Sequence, residues 1–254
     1  MKNLKLKEEF QKILQKNKYF FKYNRGVKIS YKNYFSKATD PDGKKRNLIK
    51  EEKYRLSQLS LIKNFLNKDL KKKKRDILDF GCGFGWLLKS LNNNHWNKYG
   101  LEIDYFARQI AQKNGIKTFS SIKKLSKKKY DVVTLIHVIE HLREPISNLK
   151  KIINKIKTKG YIVIETPDFD SAMARKYNTK FRLLHDKTHI SLFSSESLMR
   201  LMRDLGLQII KIEYPYFEGP FFNKENLLKL FKRNYKFSPP FYGSVVTIFA
   251  QKIR

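Results

Sequence analysis

From residue 76 onward, short apolar runs alternate with segments that are apolar at every third or fourth position. Short β-branched runs are typical of buried strands, and the longer spacing is typical of amphipathic helices. The clearest run, Tyr130 to Ile136 (YDVVTLI), predicts a strand buried on both faces. Strands are predicted at 76–80, 98–103, 116–119, 130–136, 161–165, 207–214 and 244–252, and helices at 48–66, 86–91, 105–113, 145–157 and 194–205. This order predicts a doubly wound α/β fold with a mostly parallel, seven-stranded sheet.

Two segments lie outside this alternation. Residues 1–47 are predicted to form a helical N-terminal extension or lid, which begins with a basic amphipathic helix at 4–21. Residues 48–254 form the main domain, with an insertion at 215–243 before the last strand that contains a basic helix around 223–231. The limits of the elements are marked by Asp40 to Gly43, Asn114-Gly115, Pro145, Lys159-Gly160 and Gly206.

Composition narrows the class of protein. Hydrophobic residues make up 41% of the 254 residues, enough for a sizeable core, so disorder is excluded. The single cysteine, Cys82, excludes a disulfide framework and a cysteine-rich zinc module. The longest uncharged stretch is too short to span a bilayer, and the first ten residues lack the apolar core of a signal peptide. These features predict a soluble, cytoplasmic protein.

The chain is strongly basic, with 55 Lys and Arg against 23 Asp and Glu and a net charge of +32. A basic protein gains affinity for any polyanion by releasing counterions. However, 43 of the basic residues are Lys and 12 are Arg, and they are scattered along the chain. Arg is the better bidentate ligand of phosphates and base edges. We therefore interpret the lysines as solvated surface, and nucleic-acid binding is an alternative that charge alone supports.

A glycine loop follows the first predicted strand of the sheet. Gly81, Gly83 and Gly85 lie within five residues, directly before a predicted helix. Glycine there allows a tight turn and the close approach of a ligand to backbone amides. Trp86 stands where the dinucleotide-binding spacing G-x-G-x-x-G requires its last glycine. Glu102 ends the second strand, where a carboxylate faces the loop and suits ribose hydroxyls. The pattern predicts a site for a ribose-containing cofactor.

Four segments resemble, in order and spacing, the motifs of class I S-adenosylmethionine-dependent methyltransferases: DILDFGCGFGWLLKSL, YGLEID, YDVVTLIHVIEHLREP and KGYIVIETPDFDS. The likeness is greatest to the branch that includes ubiquinone-biosynthesis O-methyltransferases and many small-molecule and sugar methyltransferases. It extends over about residues 75–212, and the segment HDKTHISLFSSESLMRLMRDLGL also resembles one common in that branch. The resemblance implies a Rossmann-like fold and S-adenosyl-L-methionine as the cofactor.

The resemblance also implies which residues surround the cofactor: Asp79, Gly81, Cys82, Gly83, Glu102, Ile103, Ile136 and His137. The loop backbone would line the methionine moiety, and Asp79 would order that loop and the amino group of the ligand. Glu102 would hold the ribose hydroxyls with Ile103 packing on the adenine, and residues 136–137 would border the methyl donor. Many relatives carry an acidic residue near the adenine amino group, where this chain has Ser120-Ser121.

The segment His137-Val-Ile-Glu140-His141 matches H-x-x-E-H, the motif of a class of zinc proteases. That chemistry requires both histidines on one helix, whereas His137 ends a predicted strand, so a protease is not favoured. In the ubiquinone O-methyltransferases the corresponding positions read E-x-x-E-H and are associated with a divalent ion. Replacing the first carboxylate by imidazole weakens the case for Mg²⁺. No metal site is predicted, and Glu140 and His141 are interpreted as capping the following helix and shaping the cleft.

Three histidines are candidates for a general base. A hydroxyl acceptor must lose its proton during methyl transfer, and imidazole is suited to accept it near neutral pH. His141 is the first candidate because it follows the fourth strand. His185 and His189 are the rivals, since they lie in the loop where this fold builds its acceptor pocket. We expect at most one of the three to be essential.

The expected activity is methyl transfer from S-adenosylmethionine to a small molecule or a sugar or glycan precursor, on oxygen. An rRNA or tRNA methyltransferase, a non-catalytic S-adenosylmethionine-binding scaffold and a nicotinamide dehydrogenase are the alternatives. The basic 223–233 segment would also suit contact with an anionic membrane surface. Aromatic residues are frequent in 1–47 and 215–243, where they either contact the acceptor or attach these segments to the core. The sequence leaves the acceptor and the oligomeric state open.

Overall fold

Nine strands form two sheets in the part of the chain that the structure describes. The structure is a computed structural model, and it describes residues 5–23, 35, 47–70, 74–125, 127–231 and 236–253. The strands are Phe21–Lys22 (β1), Arg75–Phe80 (β2), Trp96–Leu101 (β3), Lys117–Phe119 (β4), Tyr130–Ile136 (β5), Ile156–Pro167 (β6), Ser191–Leu192 (β7), Leu207–Glu213 (β8) and Val245–Lys252 (β9).

The main sheet has seven strands in the order β4-β3-β2-β5-β6-β9-β8. Neighbouring strands from β4 to β6 pair in parallel, and β9 pairs antiparallel with both β6 and β8. The order reverses between β2 and β5, so β2 and its neighbours open a crevice at their carboxyl ends. The predicted doubly wound, mostly parallel seven-stranded sheet is confirmed.

Helices connect and cover these strands. The α-helices are Leu6–Gln15 (α1), Glu52–Gln58 (α2), Ser60–Asn64 (α3), Trp86–Lys89 (α4), Tyr105–Lys113 (α5), Pro145–Ile153 (α6), Ala172–Tyr177 (α7), Ser195–Asp204 (α8) and Lys224–Lys229 (α9). Short 3₁₀ segments occupy Leu48–Glu51, Ile122–Lys124, Ile139–His141, Asn178–Lys180 and Arg182–His185, and Phe65–Asp69 is a π-helical turn. The Ser194 side chain caps α8 by accepting a hydrogen bond from the Ser197 amide.

The sheet has an apolar core on each face. Adjacent residues of one strand belong to different buried clusters, as Leu78 and Ile77 do on β2 and Val133 and Val132 do on β5. Since successive side chains of a strand point to opposite faces, both faces are covered. Each fully buried Leu, Ile or Val contributes about 1.5–3 kcal/mol to stability. This packing fixes the carboxyl ends of the strands, where the loops of the candidate site begin.

The N-terminal extension is anchored beside the loop that follows β6. Leu6, Phe10 and Ile13 of α1 are buried at helical spacing in a cluster that includes Phe169 and Phe181. The short strand β1 then pairs antiparallel with β7. The chain segment between β6 and α8 is therefore held on one side by the extension.

Several predicted boundaries are wrong for local reasons. Lys159-Gly160 is not a turn but part of β6, where Lys159 has a φ of +61° and the β5–β6 register shifts. The 48–66 helix is divided into shorter pieces, and α6 ends at Ile153 instead of 157. Strand β3 ends at Leu101, so Glu102 and Ile103 lie in the loop after it. The turn at 40–43 lies outside the described residues.

The described helices were also compared with the length that a bilayer requires. Among the described residues, none of the helices has both the length and the apolar composition to cross a membrane.

Candidate active site

The glycine loop leaves β2 in a backbone conformation that demands glycine. Gly81, Gly83 and Gly85 have φ values of +79°, +52° and +77°. A Cβ atom on Gly81 would lie 2.5 Å from a methyl carbon of Val138, and one on Gly85 would lie 2.2 Å from Ile116. Left-handed backbone costs a residue with a side chain about 1 kcal/mol or more, and these contacts would add to that cost. The loop therefore packs closely against the core.

Four amides of this loop are already bonded within the protein. Gly81 and Cys82 donate to the Leu101 carbonyl at 2.7 and 3.1 Å, and Gly85 donates to the Cys82 carbonyl at 2.8 Å. Gly83 donates to Oε2 of Glu102 at 2.9 Å. A diphosphate-binding loop offers its amides to the ligand. Here four of these amides are bonded to protein oxygens instead, which does not suit a diphosphate.

Glu102 faces the glycine loop across the ends of β2 and β3, as the sequence predicts. Its side chain is buried, and its Oε1 accepts a hydrogen bond from the Asp104 amide at 2.8 Å. Burial raises the pKa of Glu102, although its hydrogen bonds from backbone amides oppose the shift. Asp104 caps α5 by accepting from the Ala107 amide, which fixes the turn after Glu102. Ile103 points outward and is 51% exposed, so an apolar surface lies beside the carboxylate.

Asp79 is the second carboxylate at the crevice. It is 4% exposed, and its Oδ1 accepts a hydrogen bond from the Thr134 hydroxyl at 2.6 Å. Burial raises the pKa of Asp79 to about 7, opposed by the Thr134 bond and reinforced by the charge of Glu102. Cys82 is buried beneath the loop against Gly100, and burial raises the pKa of its thiol. Cys82 is therefore a small packing residue with an inert thiol.

His137 stands at the end of β5 in a strained backbone conformation, with a φ of +53°. Its Nδ1 lies 3.3 Å from Oε1 of Glu140, and its Nε2 lies 3.5 Å from Oε1 of Glu165. Burial opposes a charge on this ring, but the hydrogen bond to Glu140 and both carboxylates raise the pKa of His137. Ile136, the last residue of β5, is half-buried. The imidazole is thus held between two carboxylates at the crevice.

Glu140 is buried deeply and bonded on both oxygens. Its Oε2 accepts from the Thr166 hydroxyl at 2.9 Å, while Oε1 faces His137. Burial opposes ionisation, but the hydrogen bond from His137 and the surrounding histidines lower the pKa of Glu140 to about 2. The prediction that Glu140 and His141 cap the next helix is wrong, since Glu144 is the N-cap residue of α6 and makes no side-chain cap.

Two of the three candidate bases lie together. The rings of His141 and His189 have centroids 4.9 Å apart. Nδ1 of His141 donates to the Thr188 carbonyl at 3.1 Å, and Nδ1 of His189 donates to the Leu183 carbonyl at 2.6 Å. Burial lowers the pKa of His189, and the charge of His141 lowers it further. His185 lies apart from this pair, since its Nε2 bonds to the Thr179 carbonyl and its ring packs on Phe237.

Two polar residues of the site, Glu165 and Thr134, are not predicted from the sequence. Glu165 is buried on β6, where the Thr247 hydroxyl donates to its Oε2 at 2.7 Å, and burial raises its pKa. Thr134 supports Asp79 from the adjacent strand. An acidic residue near the carboxyl end of a buried strand is the signal for Glu165. The Thr134 contact depends on strand register, which the sequence does not specify.

Residues 50–212 match the family described as methyltransferase domain. Ubiquinone biosynthesis O-methyltransferase of Yersinia enterocolitica is 26% identical over 102 residues, which is 36% of this chain and 42% of that protein. The matched region thus spans less than half of that relative.

Solved structures match over more of their length. A SAM-dependent methyltransferase from Archaeoglobus fulgidus is 25% identical, with a TM-score of 0.54 over 80% of this chain and 98% of that one. A Thermotoga maritima SAM-dependent methyltransferase, described as a possible histamine N-methyltransferase, has a TM-score of 0.57 at 22% identity, over 79% of this chain and 91% of that one.

The chain belongs to the methyltransferase domain family, because the family match covers more than half of its length. Its fold is that of the class I S-adenosylmethionine-dependent methyltransferases. The family, the fold and S-adenosylmethionine as the family's cofactor, all predicted from the sequence, are confirmed.

Proposed function

We propose that the protein transfers a methyl group from S-adenosylmethionine to an oxygen atom of a small molecule or of a sugar or glycan precursor. The observation that carries this proposal is the pairing of the glycine loop with two buried carboxylates, Asp79 and Glu102. A ligand with a sulfonium, an ammonium and two ribose hydroxyls suits this environment. A diphosphate does not, because the carboxylates repel it and four of the loop amides are bonded to protein oxygens.

Different residues at the crevice are proposed to bind different parts of the cofactor. Gly81, Cys82 and Gly83 would line the methionine moiety through their backbone, and Asp79 would attract its ammonium group. Glu102 would accept hydrogen bonds from the ribose hydroxyls, and the exposed Ile103 would pack on the adenine. At the end of β5, Ile136 and His137 would border the sulfonium, the group that makes the transferred carbon electrophilic. The protein then mainly aligns this carbon with the acceptor.

His141 is the proposed general base for a hydroxyl acceptor. Its Nδ1 carries the proton because it donates to the Thr188 carbonyl. Its Nε2 therefore holds a lone pair in the neutral ring and can accept a proton. His189 also donates from Nδ1 and is the nearest rival, but its Nε2 lies 3.7 Å from Oδ2 of Asp186. His185 uses Nε2 for a structural bond. A base of this kind supports an oxygen acceptor, which also agrees with the name of the Yersinia relative.

The acceptor is proposed to enter from the side of α1, the β6–α8 segment and the insertion before β9. The insertion exposes aromatic side chains, among them Phe217 and Phe231, and it also contains the helix α9 with Lys224 and Lys229. Exposed aromatic rings next to lysines suit a ring-containing acceptor or the surface of an anionic membrane. This arrangement supports acceptors that are cyclic or carried on a lipid.

The proposal is tested by transfer of label from methyl-labelled S-adenosylmethionine to separate pools of phenols, sugar nucleotides, amines and RNA. We expect label in a hydroxyl-containing pool, and none with Glu102→Ala. The exposed Glu144→Ala is the control, since Glu144 is far from the glycine loop in sequence and 70% of its side chain is exposed. Label found only in amines or only in RNA would contradict the proposal.

A further inference from the structure

Four neighbouring strands bring basic residues to the amino edge of the main sheet, the edge opposite the crevice. A Lys-Arg pair at 74–75 leads into β2, and three lysines at 127–129 precede β5. Lys157 and Lys159 lie in the first part of β6, and the antiparallel β9 ends at this edge with Lys252. Adjacent strands are about 4.8 Å apart, so the ends of β2, β5, β6 and β9 lie within about 15 Å. Lysines that are scattered along the sequence therefore meet on one edge of the fold.

The carboxylates of these described strand ends, Asp76 and Asp131, balance only part of this positive charge. Nζ of Lys128 lies 2.9 Å from Oδ1 of Asp76, and Nζ of Lys157 lies 2.8 Å from Oδ2 of Asp131. Burial lowers the pKa of the lysine that ends β9, and the charge of the nearby, exposed Lys129 lowers it further. The amino edge thus keeps a surplus of cations that repel one another and would be stabilised by a polyanion.

Two adjoining cavities open at the amino edge, and they differ in chemistry. One, of about 530 Å³, is lined by polar and charged groups, among them Lys157 and Lys159 together with one carboxylate. The other, of about 540 Å³, has a largely apolar wall that includes Phe65 and Ile209. The half-buried Tyr161 lines both cavities, and its ring packs edge-on against Phe65 with centroids 5.8 Å apart. A ligand that reaches both cavities would have negative charge on one side and an apolar group on the other.

We propose that the amino edge binds single-stranded RNA, with phosphates on its lysines and one base in the apolar cavity against Tyr161. Proteins that bind single strands combine a basic groove with aromatic side chains in this way. Lysine serves such a surface well, since it binds phosphate as a point charge. Gln251 lines both cavities and donates from its side-chain amide to the Lys159 carbonyl at 3.0 Å. Its amide oxygen is an acceptor that suits a 2′-hydroxyl, which DNA lacks.

This surface is separate from the methyl-transfer site. The glycine loop and the histidines follow the carboxyl ends of the strands, whereas the amino edge lies at the other end of the same strands. RNA bound there is a partner and not the methyl acceptor, so the inference does not rest on the proposed function. An acidic protein would also pair with the lysines, but the apolar cavity beside them favours a ligand that carries bases.

The test is fluorescence anisotropy of a labelled, mixed-sequence RNA strand of about twelve nucleotides, titrated with the full-length protein between about 50 and 200 mM salt. Lys129→Gln/Lys159→Gln removes two exposed cations of the amino edge. We expect RNA affinity to fall at least about tenfold. The slope of log K against log salt should become less steep by about 1.4, since each lost phosphate contact on a single strand contributes about 0.7.

Lys176→Gln/Lys180→Gln is the matched control. It removes the same charge from two exposed lysines that follow the carboxyl end of β6. Charges further from the RNA than about 8–10 Å are largely screened at these salt concentrations, so the control should keep the affinity and slope of the wild type. Equal losses in the two double variants would show that only the overall charge of the protein matters, and would overturn the proposal.

Tyr161→Leu tests the base-binding part of the surface. Leu retains an apolar contact with Phe65 but offers no ring for stacking, so RNA affinity should fall at least about fivefold with the salt slope unchanged. Thermal unfolding shows whether this variant is folded, and the exposed lysine variants decide the question if it is not. The proposal is overturned if the wild type does not bind RNA at low salt, if folded Tyr161→Leu binds it normally, or if DNA of the same sequence binds as tightly.

Discussion

Asp79→Asn is expected to stabilise the folded protein at alkaline pH and to weaken cofactor binding. Asp79 is 4% exposed, and burial raises its pKa from 3.8 to about 7. In the unfolded chain the same group ionises near 3.8, so folding becomes less favourable as the pH rises between these values. Above pH 7 Asp79 is ionised in the folded protein as well, and the full loss in the free energy of unfolding is reached. This loss is about 4 kcal/mol for a difference of about three pKa units.

The pH dependence gives this prediction its sign. The raised pKa of Asp79 lowers the free energy of unfolding by about 1.5 kcal/mol at pH 5, where the folded group is still protonated, and by about 4 kcal/mol at pH 8, where it is ionised. Asn keeps an oxygen that accepts from Thr134 but never ionises. The advantage of Asp79→Asn in the free energy of unfolding should therefore be about 2.5 kcal/mol larger at pH 8 than at pH 5. Urea denaturation of both proteins at the two pH values measures this difference.

Asp76→Asn, on the same strand, is the matched control. Partial burial opposes ionisation of Asp76, but hydrogen bonds from Lys128 and Asn97 lower its pKa. Asp76 is therefore ionised throughout the pH range, and its variant should lose a similar amount of stability at pH 5 and pH 8. For Asp79→Asn, affinity for S-adenosylmethionine should fall at least tenfold, because the ammonium loses its carboxylate. An Asp79→Asn variant whose stability advantage does not change with pH would refute the reasoning.

Two further predictions compare matched pairs of variants. Gly85→Ala should lower the free energy of unfolding by about 2–4 kcal/mol and Gly115→Ala by about 1–2 kcal/mol. Both glycines have a φ near +77°, but a Cβ on Gly85 meets Ile116 at 2.2 Å and one on Gly115 meets nothing within 4 Å; similar losses in denaturant titrations would contradict this. His141→Ala should lower kcat by about 10²–10⁴-fold with unchanged S-adenosylmethionine affinity, and His185→Ala should leave kcat near that of the wild type. Steady-state kinetics with an identified acceptor measure kcat of both variants. Equal kcat values for His141→Ala and His185→Ala would contradict the proposal that His141 is the general base.

Much of the sheet is predictable because its strands are buried on both faces. The run Tyr130 to Ile136 is almost continuously apolar, without the alternation of polar and apolar residues that marks a half-exposed strand. It matches β5 residue for residue. Glu102 is found for a similar reason, because parallel strands place the ends of β2 and β3 at one edge. Lys159-Gly160 is a sequence typical of turns, but here it lies inside β6, where the pairing of β6 with β5 shifts its register. The local sequence does not distinguish a turn from a strand at this position, because pairing with the neighbouring strand determines which one forms.

The polar clusters depend on contacts that are distant in sequence. His189 is brought beside His141 by the β6–α8 segment, which α1 and the β1–β7 pair hold from the other end of the chain. Thr247 supports Glu165 across 82 residues. Such pairs follow from register and loop path, which hydrophobic spacing does not encode. The sequence therefore indicates the cofactor side of the site better than the acceptor side.

The most direct test of cofactor binding is calorimetric titration of the full-length protein with S-adenosylmethionine and S-adenosylhomocysteine, with Glu102→Ala in parallel. Glu102 is the buried carboxylate that faces the glycine loop, so its loss should remove the partner of the ribose hydroxyls. We expect both ligands to bind the wild type and to bind the variant at least about tenfold more weakly, a loss of about 1.4 kcal/mol. Failure of the wild type to bind either ligand at millimolar concentration would contradict the proposed function.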